Sequence, residues 1–104
     1  MTINEVPDTA VHIVATLTAI KGEEARLLQV LRELVSASQA EPGCMQYIPH
    51  VETAHSGTFV LYEVWASQAA LDEHMATPHF LSFVAAAESL LSEPPHIRTM
   101  TLIQ

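Results

Sequence analysis

A single cysteine, three glycines and four basic residues stand in a chain of 104 residues. With only Cys44, no intrachain disulfide can form, which suits a reducing compartment. Gly22, Gly43 and Gly57 are isolated, so there is no glycine-rich phosphate loop and no redox-cofactor motif. Four Lys and Arg against twelve Asp and Glu give a net charge of −8. Phosphate backbones and anionic lipid repel such a chain, so neither nucleic acid nor a membrane is an expected partner. No apolar run is long enough to span a bilayer. Met1 to Ala10 carries Glu5 and Asp8 without an apolar stretch, so it reads as a flexible arm and not a signal peptide. A cytoplasmic protein is expected.

What the chain does have is apolar residues, 49% of the total. At this length one domain is expected, spanning residues 11–104. A small body has little interior, so part of that apolar material should meet a partner, most simply a second copy.

Val11 to Ala19 is β-branched and apolar on both faces, as in a strand covered on both sides. Lys21-Gly22 breaks it. Glu23 and Glu24 suit a helix N-terminus, and Leu27, Leu28, Leu31, Leu34 and Val35 recur at helical spacing up to about Ala40. Glu41-Pro42-Gly43 stops that helix. Met45 to Glu52 predicts a strand, and Pro49 within it restricts that strand to an edge or a bulge. Thr53 to Gly57 is a turn, and Thr58 to Trp65 a strand paired with the previous one as a hairpin. Ser67 caps a short helix carrying Ala70, Leu71 and Met75. Thr77-Pro78 starts another, with Phe80, Phe83, Val84, Ala87, Leu90 and Leu91 on its inner face. After Pro94-Pro95, His96 to Ile103 is a last strand. The order β-α-β-β-α-β, its second helical stretch broken in two, predicts an α+β ferredoxin-like fold with an antiparallel four-stranded sheet. Helices cover one face of such a sheet. Strands apolar on both faces then call for a second subunit over the other face, giving a homodimer.

Three stretches carry a family resemblance: Glu41-Pro42-Gly43-Cys44-Met45-Gln46-Tyr47, Phe59-Val60-Leu61-Tyr62-Glu63-Val64-Trp65, and Ala70-Leu71-Asp72-Glu73-His74-Met75-Ala76-Thr77-Pro78-His79-Phe80. Their order and spacing resemble the antibiotic biosynthesis monooxygenase family. The resemblance covers about residues 11 to 103 and implies a dimeric α+β barrel. It also implies a cofactor-free oxygenation of quinols, anthrones or related polycyclic phenols. Trp65 matches the third-strand tryptophan that lines the pocket in some of these enzymes. The haem-degrading branch adds an asparagine on the first strand and a histidine on the last helix. This chain has Ala15 and Thr16 at the first place and no histidine after His79 at the second, so haem degradation is not implied.

Glu63 is a carboxylate within an apolar strand, with Leu61 and Trp65 on its own face. Burial demands a partner for it or raises its pKa. His74 and His79, in the segment that follows, are the expected partners. Such a pair moves a proton or orients a substrate hydroxyl, or it serves as a buried tie between helix and sheet. Tyr47, Trp65, Phe80 and Phe83 are the expected walls of a flat pocket for a small aromatic substrate, with ordinary core the plainer reading of Phe83. His74 and His79 are five apart and share no helix face, so no metal site is expected. His50 and His55 flank a turn, and His12 and His96 open strands, all with a surface place expected. Cys44 has no nearby Lys or Arg and reads as a boundary residue, not a nucleophile.

Dioxygen reacts slowly with closed-shell molecules, and without flavin or metal the substrate itself must supply the electron. A deprotonated quinol or anthrone does so. The expected function is therefore a cofactor-independent monooxygenase with His74 or His79 as base and Glu63 orienting it. Two others stand beside it: a proton-transferring isomerase of a small carbonyl compound, and an aromatic-ligand-binding dimer without catalysis.

Overall fold

A computed structural model describes residues 6–103 of the chain. Strand β1 (Val11–Thr18) leads into helix α1 (Glu24–Gln39), followed by β2 (Cys44–Glu52) and β3 (His55–Trp65). Helices α2 (Gln68–Met75) and α3 (Pro78–Ala87) precede β4 (His96–Met100). The strands form one antiparallel sheet in the order β2-β3-β1-β4. The fold is the α+β ferredoxin-like arrangement expected.

Opposed residues on neighbouring strands point to the same face. Ile13, Ala15, Leu17 and Ala19 therefore share a face with Phe59, Leu61, Glu63 and Trp65, and with Tyr47 across β2. Leu27, Leu31, Leu34 and Val35 of α1 pack on that face, and α3 adds Phe83 and Ala87. Each fully buried Leu contributes roughly 2 kcal/mol of transfer free energy. The other face carries Val14, Thr16, Val60, Tyr62 and Ile48 and, among the described residues, has no helix over it. It is mixed rather than continuously apolar, because β1 alternates on its two sides. His12 lies on this face, buried, with Nδ1 3.2 Å from the Tyr62 hydroxyl. A surface place had been expected for it, but the neighbouring strands enclose the middle of the sheet.

Pro49 does lie on an edge strand, and register shifts occur at both ends of β2. The largest boundary differences from the sequence expectation are three. The turn before β3 is tighter, since that strand begins at His55. The last strand ends at Met100, short of Ile103. Helix α3 stops at Ala87, because the chain then turns to place Leu91 beside Ala19 in an isolated bridge. Val84, expected on the inner face, is half exposed, since Phe83 and Ala87 are the residues of α3 that face the core. Of the arm expected over residues 1–10, residues 1–5 lie outside the described part. Further along, the Thr9 hydroxyl donates to the Ala66 carbonyl at 2.8 Å.

Candidate active site

Tyr47 and Glu63 are opposed across the β2–β3 ladder, and Trp65 follows Glu63 on the same face. The Trp65 indole N–H donates to Glu63 Oε1 at 2.9 Å. Both residues are buried, and burial pushes the Glu63 carboxyl up to about 7, with the indole hydrogen bond pulling the other way. Burial, then the neighbouring Glu63, likewise raises the Tyr47 phenol. Tyr47 therefore stays protonated across the physiological range.

His74 is fully buried in the last turn of α2. Its ring lies 4.3 Å from that of Trp65 and 5.0 Å from Phe80, the latter edge-on. Tyr47 closes a third side at 5.5 Å. His74 Nδ1 is 2.7 Å from Glu41 Oε2, and His79 Nε2 is 2.8 Å from the same oxygen. One carboxylate oxygen thus receives both imidazoles. Burial holds the His74 pKa below the usual histidine value, against the opposing pull of Glu41. His74 Nε2 has no hydrogen-bond partner among the described residues.

This corrects the pairing expected from sequence. The carboxylate that meets His74 and His79 is Glu41, and Glu63 instead accepts from Trp65, whose ring packs on His74. Two local features bring Glu41 there. The loop after α1 carries Gly43, where an added Cβ would lie 2.4 Å from the Cβ of Ala70. Glycine therefore lets the loop seat against α2. The Gln39 amide, donating to the Tyr47 carbonyl at 2.9 Å, ties the end of α1 to β2. The two histidines converge because the chain turns between them. Thr77 donates to the His74 carbonyl at 2.7 Å, and its hydroxyl accepts from the Phe80 N–H to cap α3, with Pro78 in the first turn. The sequence read Glu41 only as part of a helix stop. It lies 33 residues from His74, and no periodicity links the two.

Of the expected pocket walls, Tyr47, Trp65 and Phe80 gather around His74. Phe83 sits in the main core and, with His79, lines a small cleft of about 110 Å³. Two clefts about four times that volume lie elsewhere. One, about 450 Å³, runs between α1 and the β2–β3 hairpin and is lined by Leu28, Arg32, Pro49 and Phe59. The other, about 490 Å³, lies under α3 beside Pro94 and Pro95. Burial, then Glu41 and Glu63, raise the Cys44 thiol to about 11, which makes it a poor nucleophile. The donor atoms of Glu41, His74 and His79 all lie within 4.8 Å of one another, close enough to meet at one metal ion.

The sheet order and one-sided helix layer define an α+β ferredoxin-like protein with a carboxylate–imidazole cluster packed on a tryptophan. The sequence model of the antibiotic biosynthesis monooxygenase family matches residues 10–86, and the chain belongs to that family. It is 40% identical over 74 residues to the candidate monooxygenase YcnE of Bacillus subtilis, covering 71% of this chain and 76% of that one. An uncharacterised protein of Synechocystis is 28% identical over 91 residues, and the match spans 88% of this chain but only 62% of that longer relative. A relative in Yersinia enterocolitica, 29% identical over 82 residues, is named a 4-hydroxy-5-phosphonooxypentane-2,3-dione isomerase, with 76% of this chain and 85% of that one covered. Among solved structures, a Pseudomonas aeruginosa protein superposes with a TM-score of 0.88 at 38% identity, over 92% of this chain and 96% of that one.

Proposed function

We propose that the protein is a cofactor-independent monooxygenase of a quinol-like or polycyclic phenolic substrate, with His74 as the base. The observation that carries this reading is His74 Nε2, fully buried and without a partner, on a ring whose Nδ1 is held by Glu41. An unpaired polar atom in a protein interior is costly, and function is one reason it persists. With Nδ1–H donating to Glu41, Nε2 carries the free lone pair. A depressed pKa keeps that lone pair available at neutral pH.

For an anthrone-like methylene, His74 Nε2 removes one proton and leaves a delocalised carbanion. The anion passes an electron to O2, and the two radicals combine to a peroxide. Protonation and loss of water then leave a carbonyl, so that one oxygen atom enters the substrate and the other leaves as water. Glu41 takes up the charge of the imidazolium, and His79, a quarter exposed, links the cluster to solvent. Trp65 and Tyr47 offer flat faces for the substrate ring once the α2–α3 corner, where Phe80 closes on His74, moves aside. Glu63 positions Trp65 through its indole N–H.

The protein works as a homodimer in the cytoplasm on this reading. Ile48 and Met100 are each about 40% exposed, at 41% and 42%, and they share the uncovered sheet face with Val14, Val60 and Tyr62. A second copy laid over this face would bury them. Among the described residues no helix is long and apolar enough to cross a membrane.

The test is oxygen uptake with a panel of hydroquinones and an anthrone, under chelator, with autoxidation subtracted. Uptake should scale with protein and fall at least tenfold in His74→Asn and Glu41→Gln, the loss expected for a general base and its charge partner (about 10²–10⁴-fold). Unchanged uptake in both variants would remove His74 from the chemistry. The likeness to the Yersinia isomerase favours a second reading, in which the same base moves a proton on a small carbonyl compound without oxygen. Turnover that survives strict anaerobiosis would decide for it, and an aromatic ligand bound and released unchanged in air would decide for a binding module.

A further inference from the structure

We propose that Glu41, His74 and His79 form a binding site for a divalent transition-metal ion of the zinc class. Two imidazole nitrogens and one carboxylate oxygen are a donor set that such ions take, with further positions left for water or ligand. The three donors come from three separately fixed pieces of backbone. His74 lies in the last turn of α2, His79 in the first turn of α3 just after the Thr77 cap, and Glu41 on the loop held by Gly43 against Ala70. Little reorganisation is therefore needed to bring the ligands together.

The electrostatics agree. Among the described residues Glu41 forms its ion pairs with the two histidines and with no Lys or Arg, so its charge is directed at the cluster. The chain as a whole carries −8. Entry is possible from one side, where the His79 side chain is 26% exposed and that of Glu41 13%.

Coordination would require a small opening. At a metal–ligand distance near 2.0–2.1 Å, tetrahedral donors stand about 3.3 Å apart. The present contacts of 2.7 and 2.8 Å would each widen by roughly half an ångström. Binding through His74 Nδ1 would also place that ring's proton on Nε2, among the rings of Trp65, Tyr47 and Phe80. No carboxylate or carbonyl receives it there, which weakens the site about 10–100-fold against one with a full outer shell. An exchangeable site is thus the expectation, not a permanently loaded one.

Metal binding would set aside the oxygenase role of His74, since its proton would then occupy the nitrogen that acts as base, and the test of the metal site uses no substrate. The full chain, stripped with chelator, is titrated with Co²⁺ followed by visible absorption and with Zn²⁺ followed by calorimetry. One ion per chain and the visible bands of Co²⁺ held by nitrogen and oxygen donors are expected. His79→Ala, at the partly exposed ligand, and Glu41→Gln should each weaken binding at least about tenfold. Both variants are checked for an intact fold by circular dichroism and melting. Combined replacement of the exposed His50, His55 and His96 by alanine should leave the titration unchanged. Absence of saturable binding would overturn the proposal, as would binding that survives His79→Ala and Glu41→Gln or is lost in the His50, His55 and His96 triple variant.

Discussion

The Trp65 indole N–H donates to Glu63 Oε1 at 2.9 Å, two residues back along the same strand face. That bond anchors a carboxylate lying 6% exposed in the core. It satisfies one lone pair and leaves the charge otherwise poorly solvated, which is why the carboxyl rises to about 7.

Glu63 therefore makes stability fall with pH. Its folded pKa, about 7, exceeds the ordinary 4.5. Below pH 4.5 both states are protonated and nothing is lost. Between 4.5 and 7 the unfolded chain releases the proton first, so stability declines, and above 7 the loss is complete. Glu63→Gln keeps an acceptor for Trp65 and removes the charge. The variant should gain up to about 3 kcal/mol over wild type at pH 8 and little at pH 4.5. Urea unfolding of both proteins at the two pH values measures this, and equal gains at both would refute it.

His74 acts with the opposite sign. Its pKa is depressed from 6.5 by burial, so protons favour the unfolded chain as the pH falls through that value. His74→Asn should flatten the loss of stability between pH 7 and pH 5. It should also cost about 2–4 kcal/mol at pH 7 through lost ring packing against Trp65 and Phe80. Thermal melts across the series check both parts.

Gly43→Ala should destabilise by about 1–3 kcal/mol, because its Cβ meets that of Ala70 at 2.4 Å and pushes α2 away. The Ala70→Gly change should recover much of this in the double variant, at the expense of helix propensity. A double-mutant cycle with no coupling between the two positions would show that the loop seats elsewhere.

Thr77→Ala removes the cap of α3 and the hydroxyl bond to the His74 carbonyl, and should cost about 1–2 kcal/mol. Since that turn sets His79 beside Glu41, the His79 ring should also shift. The NMR chemical shifts of the His79 ring in both proteins give the readout, and an unchanged imidazole signal would dissociate the cap from the cluster.

Ile48→Glu places a charge on the uncovered sheet face, at a position 41% exposed in the single chain. If a second copy covers that face, the variant should sediment as a folded monomer while wild type sediments as a dimer. Wild type found monomeric at high concentration would discard the homodimer.

Local chemistry is enough to read most of the fold. The leucine spacing of α1, the Pro49 signal for an edge strand and the Ser67 and Thr77 caps each depend on residues within a few positions, so they are visible in one dimension. The end of α3 was less legible, because Leu90 and Leu91 keep helical spacing while their backbone is claimed by Ala19 and the end of β1. The cluster was half legible. A carboxylate in an apolar strand, two histidines and the aromatic residues around them could all be named from the sequence.

Which carboxylate meets which imidazole was a different kind of question. Glu63 is the nearer carboxylate in sequence to His74, and Glu41 the one in contact, because a glycine at position 43 allows the loop after α1 to close on α2. Sequence by itself determined the elements, their order and the types of group available for chemistry, since these follow from short-range sterics and from the alternation of apolar residues. Only tertiary structure decided the pairing, the burial of His74 and its unpartnered nitrogen. Those depend on how separate elements pack, and packing brings together residues that the chain keeps 33 and 38 positions apart.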